Sequence, residues 1–147
     1  MEAGVAGVCV LAWFVALSVY DVRQRRLPNW LTLPGGLLVL AVAAPCGRGM
    51  AALAGAGALT LLYLVMHLVA PAGMGAGDVK LAIGVGALTG AFGFDCWVVA
   101  ALAAPMLTTA WAVAVALLGG GRTATVPHGP AMCLAAAAAV ALVVDLP

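Results

Sequence analysis

The sequence has very little charge: 7% of its 147 residues are Asp, Glu, Lys or Arg, against 66% that are apolar. With a mean hydropathy of +1.21, this composition excludes an ordinary water-soluble domain. There is no room for a separate one either, since the polar stretches between apolar segments run to only about ten residues. Cysteine pairs are missing as well. Cys9, Cys46, Cys96 and Cys133 are isolated in the chain, so no C-x-x-C spacing supports a metal site and no metal is expected. Trp13, Trp30, Trp97 and Trp111 show no spacing that suggests a cofactor, and none is expected. No nucleic-acid partner is expected of a chain with a net charge of +1. Period-2 alternation is absent too, which argues against a transmembrane barrel.

What remains is a series of apolar segments, taken as Ala3–Tyr20, Leu31–Pro45, Met50–Ala70, Val79–Phe94, Cys96–Leu118 and Pro130–Val144. Only helices or a closed barrel satisfy the backbone in lipid, so the expected fold is all-α, an integral membrane protein of about six transmembrane helices. Several segments fall short of the ~20 residues of a perpendicular span, so local thinning or spans that extend into their loops are expected. The first segment is read as a retained span. Tyr20-Asp21 is no small-residue cleavage site, and the basic residues follow the segment instead of preceding it. Residues 1–147 are read as a single transmembrane domain. Glycines such as Gly55, Gly57, Gly84 and Gly86 permit close helix approach, and at this glycine content they are equally background composition.

The basic residues orient the chain. Arg23, Arg25, Arg26, Lys80 and Arg122 follow odd-numbered segments and share one side, whereas Arg48 alone lies on the other. The positive-inside rule therefore puts the amino terminus outside, and Glu2, Asp95 and Asp145 with it. Asp21 and Asp78 are then the two acids on the cytoplasmic face. Asp78 follows a glycine-rich turn and reads equally well as the N-cap of the fourth helix. Asp21 is harder to explain, because it sits at the C-terminal end of a helix, where the dipole disfavours an anion. Two carboxylates brought together share a proton, leaving a base to activate water and an acid to polarise a peptide carbonyl. Gly75 and Gly77 would leave such a pair open to an extended substrate backbone.

These residues carry a resemblance. The stretch GAGDVKLA at Gly75–Ala82 looks like the GxGD motif of the prepilin peptidase (type IV leader peptidase) family of aspartyl proteases. DVRQRRLPNWLTL at Asp21–Leu33 resembles that family's first-aspartate segment. VPHGPAMCLA at Val126–Ala135 is similar to its Pro-aromatic-Gly-Pro approach to the last helix, with His128 in place of the aromatic. The resemblance spans nearly the whole chain. It implies that Asp21 and Asp78 are the catalytic pair. It also implies a prokaryotic cytoplasmic (inner) membrane protein that removes the leader of a prepilin-like membrane substrate at the cytoplasmic face, just after a glycine. Longer family members carry a region with paired C-x-x-C motifs and also methylate the new terminus. This chain resembles the short, peptidase-only type associated with Flp or Tad pili, without an N-terminal methyltransferase region.

Supporting roles divide less cleanly. Pro28 and Asn29 are expected to set the entrance of the second helix, with Asn29 as its cap. Lys80 either steadies the pair or meets a substrate acid, and plain topology with snorkelling explains it about as well. His67 lies near the same face and reads more naturally as a satisfied interfacial residue. Cys46 and Cys96 both map to the outer side, where a disulfide is conceivable, and Trp30 and Trp97 fit interfacial belts. Two other readings stay open, a small transporter or proton relay using Asp21 and Asp78, and a non-catalytic assembly subunit.

Overall fold

The computed structural model describes residues 2–119 and 126–145, and among them all regular structure is helical: α1 (Glu2–Gln24), α2 (Asn29–Ala43), α3 (Gly49–Val69), α4 (Ala76–Ala91), α5 (Phe94–Leu117) and α6 (Gly129–Asp145). The six apolar segments each correspond to one helix. Three helices are long and apolar enough to cross a membrane, Gly4–Gln24, Gly49–Val69 and Phe94–Leu117, while α2 and α6 are shorter apolar helices. Large apolar side chains such as Val8, Leu37, Leu61, Leu102 and Leu142 are exposed on the outward faces. A bundle that is apolar both inside and outside matches lipid rather than water.

Helix ends depart from the apolar segments in instructive ways. α1 continues past Tyr20 to Gln24, because backbone hydrogen bonding does not require apolar side chains. Asp21 thus lies within the helix, with its carbonyl accepting from the Arg25 amide at 2.9 Å. Arg25 then turns left-handed at φ 52° and ends the helix. α4 begins three residues before Val79, and Phe94, expected to close it, instead opens α5 after Gly93 at φ 119°.

One core joins five helices: Phe14 and Leu17 from α1, Leu59 and Tyr63 from α3, Leu81 and Val85 from α4, Ala104 from α5, and Met132 and Ala136 from α6. The most extensive helix pairing is α3 on α4. It runs along a glycine seam. A Cβ on Gly86 would meet the Gly55 carbonyl and lie 2.9 Å from Leu59 Cβ, and one on Gly90 would lie 2.7 Å from the Ala51 carbonyl oxygen. Gly57, by contrast, faces open space, so the four glycines singled out in the sequence do not act alike. α5 and α6 pair through small residues, including Cys96, Ala100 and Ala139.

Trp97, near the start of α5, is half-buried, and its indole N–H donates to the Gly55 carbonyl at 3.0 Å, against the glycine seam. Trp30 remains exposed, edge-on to Tyr20. Cys46 is exposed and Cys96 buried, and both are free thiols, so no disulfide joins them.

Filling the seam is expected to separate α3 from α4. Gly86→Val should destabilise the protein by about 1–3 kcal/mol, whereas Gly57→Val should be nearly silent, as read from denaturant titration of the purified protein in detergent micelles.

Candidate active site

Asp21 is 7% exposed, buried on the last full turn of α1. Its position at a helix C-terminus is offset from across the bundle. The backbone N–H of Gly129, the first residue of α6, donates to Asp21 Oδ2 at 2.9 Å, 108 positions away in sequence. The positive end of one helix therefore meets the carboxylate at the negative end of another, which removes the electrostatic objection to an anion there. The approach depends on glycine, since a Cβ at 129 would lie 2.7 Å from Asp21 Oδ2. The Arg25 charge also acts on Asp21.

Asp78 is the third residue of α4, not its N-cap. Gly75 occupies the cap position with φ −73° and ψ 146°, and its N–H donates back to Asp78 Oδ2 at 3.3 Å. The reciprocal bond runs from the Asp78 N–H to the Gly75 carbonyl at 3.1 Å. The carboxylate thus turns toward the start of its own helix, and a side chain on Gly75 would crowd it. Asp78 is half-buried, and the charge of Asp21 acts on it. Around the pair lie Tyr63, acted on by Asp78, and Cys133, acted on by both aspartates and hydrogen-bonded to Ser18.

The backbones of α1 and α4 do not pack on each other among the described residues. Each instead packs against α2 and α6. The link between them is made by side chains, notably Trp13, which lies over Gly35 and Gly84 and donates its indole N–H to the Leu31 carbonyl at 2.9 Å. The first and fourth helices therefore meet through side chains and not through their backbones.

The remaining anticipated residues serve the frame. Asn29 does not cap α2: Pro28 is the cap residue, with no side-chain cap bond, and its carbonyl accepts from Leu31 and Thr32. The Asn29 amide oxygen instead accepts from Lys80 Nζ at 2.8 Å, tying the start of α2 to α4. Gly77 allows Leu27 to pack on the first turn of α4, since a Cβ there would lie 3.1 Å from Leu27 Cβ. His67 donates from Nδ1 to the Met74 carbonyl at 2.7 Å and so holds the turn before α4. Among the described residues, no group of three or more His, Cys, Asp or Glu side chains is placed to hold a metal.

Gly129, Tyr63 and Thr108 are the residues that sequence reasoning missed. His128 accepts from the Tyr63 hydroxyl at Nε2 (2.8 Å) and donates from Nδ1 to Thr108 Oγ1 (2.6 Å), and burial lowers its pKa from the usual histidine value. The available signal was Asp21 itself. A carboxylate at a helix C-terminus requires a donor from elsewhere, and a Gly-Pro step opening a later helix can offer a bare amide.

The structure therefore defines a class, a protein helical throughout the regular structure of its described residues, with helices long and apolar enough to cross a membrane, in which the charge of Asp21 on α1 acts on Asp78 on α4. The chain belongs to the type IV leader peptidase family, whose model matches residues 8–144. It is 32% identical over 138 residues to a protein of Xanthomonas campestris pv. campestris named prepilin leader peptidase/N-methyltransferase. That alignment covers 88% of this chain and 47% of the relative, so the chain spans about half the relative's length. No solved structure matches it significantly.

The Gly129–Asp21 contact is open to a double-mutant cycle. Gly129→Ala should cost about 1.5–3 kcal/mol, the range for a hydrogen bond to a charged group, and most of that cost should vanish in an Asp21→Ala background if this contact is its origin. Denaturant titration of the four proteins reads both quantities.

Proposed function

We propose that this chain is a membrane-embedded aspartic endopeptidase that removes the leader peptide from type IV pilin-like precursors at the cytoplasmic face of a prokaryotic inner membrane. One observation carries the reading: in a chain of the leader peptidase family, Asp21 and Asp78 come from separate helices into each other's electrostatic range. The name of the relative, a prepilin leader peptidase, supports the substrate class.

In the proposed reaction one carboxylate of the pair is ionised and the other protonated, the usual state of two like charges that share a site. The ionised member removes a proton from water as the oxygen attacks the scissile carbonyl. The protonated member donates a hydrogen bond to the carbonyl oxygen and later helps the amine to depart. Asp21 is held from outside its helix by the Gly129 amide and Asp78 from within its own by Gly75, so neither carboxylate has to reorganise before water attacks.

The proposal includes six membrane spans with the amino terminus outside. Arg23, Arg25, Arg26 and Lys80 support it by flanking the dyad's end of α1 and α4, with Arg48 before α3 at the opposite end. Arg122, counted on the dyad's side in the sequence, lies outside the described residues. Within residues 1–147 we read one peptidase domain, with Gly75, Gly77, Pro28, Asn29 and Lys80 supporting the dyad through the contacts above.

Co-expression with a pilin-like precursor tests the reading. Asp21→Asn and Asp78→Asn should each lower cleavage by about 10²-fold or more, with the variants accumulating in the membrane at wild-type levels, as followed by the size shift of the precursor. If either variant cleaved like wild type, the aspartic mechanism would be wrong. A proton conductor would lose flux but leave no processed product, and an assembly subunit would be unchanged.

A further inference from the structure

His128 directly precedes α6, its carbonyl accepting from the Met132 amide at 3.1 Å. Its ring bridges two other helices, with Nε2 2.8 Å from the Tyr63 hydroxyl on α3 and Nδ1 2.6 Å from Thr108 Oγ1 on α5. The proton positions follow from the partners. The Thr108 hydroxyl donates to the Ala104 carbonyl at 3.0 Å, so its oxygen is left to accept, which puts the ring proton on Nδ1. Nε2 then accepts from Tyr63. With the imidazole neutral, the form its burial favours, one arrangement of protons satisfies the whole series.

The next backbone group along the chain is the amide that holds Asp21. The His128 carbonyl and the Gly129 N–H belong to one planar peptide unit, so holding the ring by two helices and the carbonyl by the Met132 amide together sets the direction of that N–H. Two directional bonds to two helices hold this ring more tightly in orientation than apolar packing would, because packing alone leaves an aromatic ring free to tilt or slide. The Tyr63 ring also lies against it, at 5.6 Å between centroids.

We propose that His128 is a positioning residue for the dyad: clamped between Tyr63 and Thr108, it aims the Gly129 N–H at the Asp21 carboxylate. The inference rests on the reading of Asp21 as a catalytic carboxylate, and it adds a residue that touches neither substrate nor carboxylate. Its effect is on the geometry of the reacting group, so it falls on turnover and not on substrate affinity.

The test compares purified wild type, His128→Phe, His128→Gln and Asp21→Asn on a precursor pilin in detergent, reading kcat and KM separately. Phenylalanine keeps the ring and loses both bonds, whereas the glutamine amide offers Tyr63 an acceptor and Thr108 a donor. His128→Phe should lower kcat about tenfold with KM nearly unchanged, and His128→Gln should bring kcat back to within about threefold of wild type. If His128→Phe turns over like wild type while Asp21→Asn is inactive, the positioning role is wrong and the peptidase reading stands. Equal loss in the Phe and Gln variants also overturns the role, since the polar clamp would then be irrelevant. If Asp21→Asn cleaves normally, the failure lies in the peptidase reading beneath. Should His128→Phe not fold, Tyr63→Phe and Thr108→Val each remove one bond, and each should lower kcat by about threefold; unchanged kcat in both overturns the proposal.

Discussion

A single backbone amide decides whether an anion belongs at the end of α1. Without the Gly129 N–H at 2.9 Å, Asp21 would face the negative end of its own helix in a largely apolar setting, with the nearby Arg25 charge left as its main compensation. Much else follows from that one bond. Gly129 has no side chain because one would strike the carboxylate. The first amide of α6, without a partner inside its own helix, finds one in Asp21. The aspartate, its donor and the second carboxylate come from α1, α6 and α4, so the site exists only when the bundle is assembled.

The fold was largely legible in the sequence because lipid imposes a severe rule: each long apolar stretch becomes a helix. Helix ends were less legible. Hydropathy marks where apolar side chains stop, whereas helices stop at backbone conformations such as Arg25 and Gly93. Asp21 and Asp78 could be singled out because acids are scarce here and each lay at the edge of an apolar run. Their partners could not. Gly129, Tyr63 and Thr108 hold the site through tertiary contacts that carry no local pattern, and Asn29 looked like a helix cap until Lys80 was seen to occupy its amide oxygen. The partner of Trp97 was hidden for a related reason. An indole that fits a membrane interface fits a glycine seam equally well if a carbonyl lies within reach.

Glycine does two different jobs in this chain. Along α3 and α4 it lets backbones touch, so that contact area replaces the hydrophobic drive that lipid does not provide. At positions 75 and 129 it keeps space free beside a carboxylate. Gly57 does neither. In so glycine-rich a sequence, composition conceals which positions matter, and only the neighbours of each Cα separate them.

The missing backbone contact between α1 and α4 bears on the energetics of occupancy. A wedge driven between two closely packed helices forfeits their dispersion contacts, and the guest must repay that loss before it binds at all. Among the described residues α1 reaches α4 through side chains such as Trp13, whereas α3 meets α4 backbone to backbone, so drawing α1 away from α4 forfeits side-chain contacts and leaves the glycine seam intact.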